Sequence, residues 1–340
     1  MQEGSVGANI KGSILATVTV SIVLIVFSFG SLIVLGISSE QGTNSDDSYS
    51  LLDGAIDLHL HIDPDSETRA FDAIEIPEMQ LAQERGLRGF VAKNHFETSG
   101  SVAYLLRKVI PGIEVFGGIA LNHNQGGINL SAVEYMAKEI KGQPFRFVWM
   151  PTMDSEHMVR GSDEPDRPSV KVSQGCDAQG CIDAELLPEV NMMVGLIAEH
   201  DLILATGHLS SEESLLVLRE ANKQGVEHMI VTHPMISFIK MNEAQMQEAA
   251  SLGAFLEFDF RNVLTEPGEL EMIRKLGPEH VIIDEFWTES ESGRREYADP
   301  DGLALWVKAM NDQGFSNREL DMMVKENPAK LLGLPLLPRN

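Results

Sequence analysis

The segment Ala55–Asp65 reads AIDLHLHIDPD, a short apolar run that ends in two histidines one residue apart. Short apolar runs bounded by turn residues are typical of buried strands. Seven more such runs follow along the chain. The eight predicted strands are Ala55–His59, Gly89–Lys93, Glu114–Ile119, Phe145–Met150, Leu202–Thr206, Met229–Thr232, Ala254–Phe258 and His280–Asp284.

Amphipathic stretches lie between most of these strands, with apolar residues at the i, i+3 and i+4 spacing of helices. The clearest are Pro77–Arg85, Ala132–Ile140, Leu186–Glu199, Glu213–Lys223 and Ala244–Leu252. Eight strands that alternate with helices predict an α/β fold, and more narrowly a (β/α)8 TIM-like barrel. An open doubly wound sheet is the alternative, but no GxGxxG motif follows the first strand.

The N-terminal part of the chain contains an apolar segment with no charged residue between Lys11 and Glu40. As a helix, residues 13–38 would be long enough to span a hydrocarbon core of roughly 30 Å. We therefore expect a transmembrane signal anchor at 13–38, preceded by a tail at 1–12. A polar linker at 39–50 would then lead to the barrel at 51–340.

The charges around this segment bear on its orientation. Lys11 is the one basic residue before it, and Glu40, Asp46 and Asp47 follow it. The positive-inside rule predicts a membrane-anchored, single-pass protein whose main domain is extracytoplasmic. The alternative is a cytoplasmic protein whose true start lies near Leu51.

Residues 154–183 interrupt the alternation of strands and helices and are rich in Asp, Gly and Pro. We expect an insertion loop there, and loops of this length are usually functional or disordered. The loop holds both cysteines of the chain, Cys176 and Cys181. Two cysteines exclude a disulfide-rich scaffold and a four-thiolate zinc site, and leave open a local disulfide or two thiols.

Acidic residues outnumber basic residues by 51 to 26 among the 340 residues, which gives a formal net charge of −25. Such a surface repels phosphate backbones, so we expect no nucleic-acid partner. The hydrophobic share of 43% is enough for a sizeable core. We expect a small-molecule substrate and membrane contact through the N-terminal helix, and we leave homo-oligomerisation open.

The ten histidines are distributed unevenly relative to the predicted strands. Three of them lie at or before the amino ends of strands, and the other seven lie at or beyond the carboxyl ends of strands. In a parallel barrel, active sites are built at that end. The seven are His59, His61, His95, His123, His157, His208 and His233.

His59 and His61 are two residues apart on a strand, so their side chains point to the same side and can bind one ion. The barrel would bring His208, His233 and Asp284 to the same mouth. Imidazoles together with a carboxylate suit a divalent metal. We expect one or two ions, with zinc favoured and manganese or iron also compatible.

Asp284 ends the eighth predicted strand, in HVIIDEF. Its carboxylate could bind the metal through one oxygen and accept a proton from water. A bound metal lowers the pKa of such water from near 16 towards roughly 7. The competing interpretation is that Asp284 only caps the end of the strand.

The order of these residues resembles the amidohydrolase superfamily, with HxH after the first strand, histidines after the fifth and sixth, and aspartate after the eighth. The closing segment ENPAKLLGL, Glu326–Leu334, is similar to the C-terminal segment of that superfamily. Closer still, the motifs KNH, WMPT, TGH and THP resemble an uncharacterised amidohydrolase-like family. The resemblance covers about residues 51–335.

This resemblance implies roles for individual residues. His59, His61 and Asp284 would hold a first metal. His208 and His233 would hold a second metal or position the substrate. Asp284 would carry a proton to the leaving group, and His233 would act as an acid or base if a single metal binds.

One position departs from the superfamily pattern. Binuclear members place a carboxylated lysine or a glutamate at the end of the fourth strand, where this chain has Met150-Pro151-Thr152. Lys93, at the end of the second strand, is placed to substitute as a carbamylated bridge, since burial near metals lowers the pKa of a lysine. Alternatively, Lys93 pairs with a carboxylate of the site or of the substrate.

Other polar and aromatic residues are expected to line the same mouth and to orient the substrate or stabilise an oxyanion. These predicted substrate-binding residues are His95, Asn94, His123, Trp149, Thr152 and Glu257.

The resemblance implies a metal-dependent hydrolase that uses metal-activated water on an amide, lactam, lactone or ester bond of a small molecule. A mononuclear metal-dependent decarboxylase is the first alternative and would fit the missing bridge. A phosphoester hydrolase is the second, and a non-catalytic binding scaffold is the third.

Overall fold

A computed structural model describes residues 52–65, 72, 74–75, 86–139, 144–177, 180–259, 267–284 and 302–338. Eight parallel strands in this part of the chain form one sheet, and their order in the sheet is their order along the chain. The first and the last of these strands lie side by side, so the sheet curls into a nearly closed barrel. The strands are β1 Ile56–His61, β2 Gly89–Lys93, β3 Glu114–Ala120, β4 Phe145–Trp149, β7 Ile203–Ala205, β8 His228–Val231, β9 Ala254–Asp259 and β10 Val281–Asp284.

Helices follow most of these strands and cover the outside of the sheet. They are α1 Gly100–Val109, α2 Leu130–Glu139, α3 Glu156–Arg160, α4 Pro188–Glu199, α5 Ser211–Gln224, α6 Glu243–Ser251, α7 Pro267–Leu276, α8 Gly302–Asp312, α9 Asn317–Asp321 and α10 Asn327–Leu331. Short 3-10 turns lie at His123–Gln125 and Pro278–His280, and a π-helical turn at Met322–Glu326. The predicted barrel is therefore confirmed.

Each of the eight predicted strands overlaps an observed strand, and the first extends two residues further, to His61. The predicted helix Pro77–Arg85 lies wholly outside the described residues. The predicted insertion loop is more ordered than expected. It contains α3 and an antiparallel hairpin of β5 Ser173–Asp177 and β6 Gly180–Leu186, which a Cys176–Cys181 disulfide joins.

The barrel has two layers of apolar packing. One fills the interior, and the other lies between the sheet and the surrounding helices. Bulky side chains in the interior make this barrel a packed core and leave the polar residues to its mouth. The interior residues on strands are Ile56, Leu58, Val91, Phe116, Ala120, Phe147, Trp149, Ile203, Ala205, Ile230 and Ile282.

A β-bulge in β1 decides which way its histidines point. Asp57 pairs with Phe90 of β2, but Leu60 pairs with Ala92, so β1 carries one extra residue. Ile56 and Leu58 lie in the barrel interior, whereas Leu60 packs on the outer side with α1. A one-residue shift moves all later side chains to the other face. The bulge thus lets His59 and His61 follow Leu58 into the interior.

Asp57 stabilises this bulge from within its own strand. Its side chain is buried, and Oδ1 accepts a hydrogen bond of 2.9 Å from the backbone N–H of His59. A bulge leaves one residue of the ladder unpaired. The Asp57 carboxylate therefore supplies an acceptor to a buried N–H group beside the first metal-ligand candidate.

The N-terminal predictions fall on residues that are not described: the tail at 1–12, the transmembrane anchor at 13–38 and the linker at 39–50. Within the described ranges, every helix is too short or too polar to cross a bilayer. This finding contradicts the predicted localisation as a single-pass membrane protein with an extracytoplasmic main domain.

We expect Asp57→Ala to lower the free energy of unfolding by about 1–3 kcal/mol, because it leaves the buried N–H of His59 without its acceptor. Asp57→Asn is the matched control, since its amide oxygen can still accept that bond. Urea denaturation measures both variants. Equal stability of Asp57→Ala and Asp57→Asn would show that the bulge does not depend on this acceptor.

Candidate metal centre

Five histidines form a closed ring around the carboxyl mouth of the barrel. They come from four strands or from the residues just after them, and all five are buried. Their successive ring centroids are 5.1, 4.8, 5.6, 6.2 and 4.6 Å apart. In order around the ring they are His59, His61, His95, His208 and His233.

On one side of this ring, Glu257 of β9 joins two histidines. Its Oε1 lies 2.7 Å from Nδ1 of His59 and 3.2 Å from Nδ1 of His233. Each of the three residues offers a ligand atom within 4.8 Å of the others. We call His59, His233 and Glu257 the β1–β9 group.

On the other side, Asp65 joins the next two histidines. Its Oδ2 lies 2.6 Å from Nδ1 of His61, and its Oδ1 accepts a hydrogen bond of 2.8 Å from the backbone N–H of His95. These three residues also offer ligand atoms within 4.8 Å of one another. We call His61, Asp65 and His95 the β1–β2 group.

His208 lies between the two groups in the ring. Both of its ring nitrogens are buried and have no hydrogen-bond partner among the described residues, and the same holds for Oε2 of Glu257. Buried polar atoms normally have partners, since leaving them unsatisfied costs free energy. Imidazole nitrogens and a carboxylate oxygen are the donors that zinc and similar divalent ions prefer. The residues present therefore fit a divalent cation.

The protein backbone fixes His208 and His233 in place. Gly207 has a φ of 60°, and a Cβ there would lie 2.3 Å from the carbonyl oxygen of Met150. The hydroxyl of Ser155 donates a 2.7 Å hydrogen bond to the carbonyl of His208. His233 itself has a φ of 46°, a left-handed conformation that is uncommon outside glycine and is often found at functional sites.

Burial keeps three of the five histidines neutral. It lowers the pKa of His233 to about 3, although Glu257 opposes the shift. Burial also lowers the pKa of His208, aided by His233, and the pKa of His95, aided by Lys93. A neutral imidazole keeps a lone pair for a metal, so these side chains are in their ligand form at neutral pH.

Glu257 and Lys93 carry the charges at the base of the site. Burial raises the pKa of Glu257 to about 7, and the nearby His233 and Lys93 oppose this rise. Lys93 is fully buried, with Nζ 4.0 Å from the centroid of the Trp149 ring. The face of an indole ring attracts a lysine ammonium at this distance. The carbamylated bridge stays a prediction.

Trp149 has room in the interior because Gly118 has no side chain. A Cβ on Gly118 would lie 2.7 Å from the indole ring and 2.3 Å from the carbonyl oxygen of Phe147. The indole is also stacked on the Phe147 ring at 4.9 Å. Trp149 therefore forms the floor on which Lys93 and His59 lie.

Asn122 ties together the ends of three strands. Its Oδ1 accepts the N–H groups of Thr152 and Asp154, and its Nδ2 donates to the carbonyl of His95 and to Oγ1 of Thr152. Thr152 Oγ1 in turn lies 2.8 Å from Nδ1 of His95. Asn122 and Thr152 are fully buried and hold the His95 ring in one orientation.

The remaining predicted site residues have different surroundings. Asp284 ends β10 and is buried at the mouth, in register with Asp259 of β9. Asn94 Oδ1 accepts hydrogen bonds from the N–H groups of Phe96 and Glu97, so this side chain stabilises the turn after β2. His123 is exposed and is not one of the five histidines of the ring.

The sequence interpretation missed one residue and gave another a different role. Asp65 was not among the candidates, although an acidic residue four positions after His61 on a strand end is a signal for a histidine partner. Glu257 was expected to bind substrate, yet it contacts His59 and His233. Only the fold brings Glu257 to His59, from 198 residues away.

Comparison with known proteins identifies one family. The model described as "Family of unknown function (DUF6282)" matches residues 54–257, which is more than half of the chain. The match includes four strand ends that carry histidines of the ring, and it ends at Glu257. No curated protein matches the chain.

Several solved structures share the fold. One is a phosphotriesterase homology protein from Escherichia coli complexed with phosphate in its active site, with 15% identity, a TM-score of 0.56, and coverage of 82% of this chain and 98% of that chain. An amidohydrolase from Pseudomonas aeruginosa has 11% identity, a TM-score of 0.56, and coverage of 84% and 98%. The probable dipeptidase PvdM from Pseudomonas aeruginosa has 11% identity, a TM-score of 0.56, and coverage of 85% and 97%.

At these identities the similarity concerns the fold. The shared structure extends over more than four fifths of this chain in each comparison, which agrees with the fold that the predicted resemblance to the amidohydrolase superfamily implies. The roles of individual residues remain predictions.

We expect Asn122→Ala to lower the free energy of unfolding by at least about 2 kcal/mol, because it removes four hydrogen bonds and leaves a buried N–H of Thr152 unsatisfied. Asn124→Ala is the matched control on the exposed side of the same turn and should stay within about 0.5 kcal/mol of the wild type. Urea denaturation measures both. A small effect of Asn122→Ala would contradict its role in joining the strands.

Proposed function

Since the chain belongs to the DUF6282 family, whose function is unknown, we propose its function from the site itself: a metal-dependent hydrolase of small molecules. The bond cleaved would be an amide, lactam, lactone or ester. The fold, on which structures titled amidohydrolase and probable dipeptidase are also built, supports this reaction class by analogy.

The observation that carries the proposal is His208, a buried imidazole with neither nitrogen bonded within the described residues. It lies in a ring with four other buried histidines, and its neighbour His233 contacts Glu257, whose Oε2 also has no hydrogen-bond partner within the described residues. We propose that His59, His233 and Glu257, whose ligand atoms lie within 4.8 Å of one another, hold a divalent cation, with His208 beside them as a further donor. Zinc is favoured, with manganese or iron as alternatives.

A divalent ion bound there would polarise a substrate carbonyl and make water a better nucleophile at neutral pH. The chain's own residues would handle the protons. Asp284, buried at the end of β10, would accept a proton from the attacking water at its carboxylate. It would then deliver that proton to the leaving nitrogen or oxygen as the bond from the carbonyl carbon breaks. His233, neutral because of its low pKa, fits the role of ligand better than that of acid.

Other residues would position the substrate. Lys93 lies within electrostatic range of His95, His208 and Glu257, and its ammonium would attract a carboxylate or a developing oxyanion. Trp149 would give the substrate an apolar floor. His95 and Thr152, which are bonded to each other, line the opposite wall.

A metal-dependent decarboxylase is the alternative that one observation favours. The residue after β4 that faces the site is Thr152, whose hydroxyl is engaged by Asn122 and His95, so this strand end supplies no bridging carboxylate. A single ion with no bridge would suit polarisation of a substrate without hydrolysis. Release of CO2 in place of a hydrolysis product would identify that reaction.

We expect protein that has been stripped of metal with a chelator to bind an added divalent ion. At an ion concentration one hundred times the Kd, its free energy of unfolding should rise by about 2.7 kcal/mol. The variant His208→Ala should gain less, because it lacks one ligand. His123→Ala, an exposed histidine outside the ring, is the matched control. Thermal denaturation with and without Zn2+ or Mn2+, together with metal analysis, measures the effect. Folded wild-type protein that binds neither ion would refute the proposal.

We expect Asp284→Asn to lower kcat by about 100- to 10,000-fold with the metal content unchanged, because the amide cannot carry the proton. The substrate would be chosen by testing the metal-loaded wild type against esters, lactones, lactams and dipeptides. Turnover of Asp284→Asn at the wild-type rate would exclude Asp284 as the proton carrier, and loss of the metal would make it a ligand instead.

A further inference from the structure

The β1–β2 group, His61, Asp65 and His95, is a cluster of potential ligands that the proposed metal site does not use. It lies at the mouth beside β1 and β2, next to the β1–β9 group. We propose that these three residues form a second site for a divalent cation. The inference goes beyond the proposed function, which needs only the ligands around Glu257 and His208.

The donors of this group are close enough to meet one ion. Each residue offers a ligand atom within 4.8 Å of the other two. The imidazole rings of His61 and His95 have centroids 4.8 Å apart, which is shorter than the 5.1 Å between His61 and His59. The His61 ring is therefore at least as close to the ring of His95, which follows β2, as to the ring of His59 on its own strand.

The chemistry of the group suits a borderline divalent ion. Two imidazoles and one carboxylate are a common protein donor set for zinc, and they leave a position open for water or substrate. The side chains of Asp65 and His61 are completely shielded from solvent, and His95 is 3% exposed. An ion held there would be shielded from bulk water, and the carboxylate would offset part of its charge.

The group is held in place before any ion binds. Asp65 contacts the His61 ring with one oxygen and the backbone of His95 with the other. Thr152 fixes the His95 ring through Nδ1, and Asn122 fixes Thr152. A site in which the backbone and the outer hydrogen bonds already orient the ligands needs little rearrangement to bind.

The main alternative is that Asp65 only orients His61 as a ligand for the neighbouring β1–β9 group. Carboxylate partners of metal-binding histidines commonly have this role, and their loss weakens metal affinity by about 10- to 100-fold. The two interpretations differ at His95. If Asp65 only orients His61, the His95 ring is not needed for metal binding. A second site needs the His95 ring as a ligand.

The experiment counts metal ions per chain. The full chain is stripped with a chelator, loaded with Co2+ and separately with Zn2+, freed of excess ion and analysed for metal and for visible Co2+ absorption. The variants are His95→Gln and Asp65→Asn for the β1–β2 group and His233→Gln for the β1–β9 group. His123→Gln is the control outside both. Gln at 95 can still bond Thr152 but is a poor ligand.

We expect two ions per wild-type chain and two per His123→Gln chain. His95→Gln and Asp65→Asn should each retain one ion, with the loss of one component of the Co2+ spectrum, and His233→Gln should lose the other. Circular dichroism and thermal denaturation check folding, and if either β1–β2 variant does not fold, the other one decides.

Three outcomes would overturn the inference, and they separate it from the proposed function. One ion per wild-type chain, lost in His233→Gln and retained in His95→Gln, would remove the second site and leave the hydrolase proposal standing. No ion in a folded wild-type chain would remove both. Two ions that persist in His95→Gln with an unchanged spectrum would place the second ion elsewhere.

Discussion

The site depends on one hydrogen bond inside β1, from the backbone N–H of His59 to Oδ1 of Asp57. It stabilises the extra residue that shifts β1 relative to β2. Without the bulge, side chains would alternate regularly after Leu58. His59 and His61 would then point outward to the helices, and Leu60 would point into the barrel. The bulge thus places two imidazoles inside the barrel at its mouth, where the other strands can supply partners.

Those partners create an electrostatic problem that a cation would solve. Five buried imidazoles surround the carboxylates of Glu257 and Asp65. Burial lowers the pKa of His95, His208 and His233, and it raises the pKa of Glu257 to about 7. Both ring nitrogens of His208 still lack a partner within the described residues. A divalent ion would bind one of these nitrogens and keep Glu257 ionised, so its binding and the stability of the mouth would be linked.

A second set of contacts supports the ligands from outside. Asn122 joins the ends of β2, β3 and β4, and Ser155, at the start of the insertion, bonds the carbonyl of His208. The hairpin further along the insertion is bonded to α5 through Ser173 and Glu213. The insertion therefore contributes order to the mouth, in contrast to the loop that its composition predicts.

The sequence by itself determined the barrel and the location of the site. Eight apolar runs alternating with amphipathic stretches allow few other folds, and histidines at strand ends meet because the carboxyl ends of parallel strands share one mouth. The tertiary structure alone decided how the ligands are grouped. The Asp65 carboxylate contacts the His61 ring, and the Glu257 carboxylate contacts the His59 ring from 198 residues away in sequence. It also revealed the bulge, since a single inserted residue leaves no mark on an apolar run. The periodicity of apolar residues indicates which face of a strand is buried. Which side chains contact each other across the mouth depends on strand register and strand order, and these exist only once the sheet has closed.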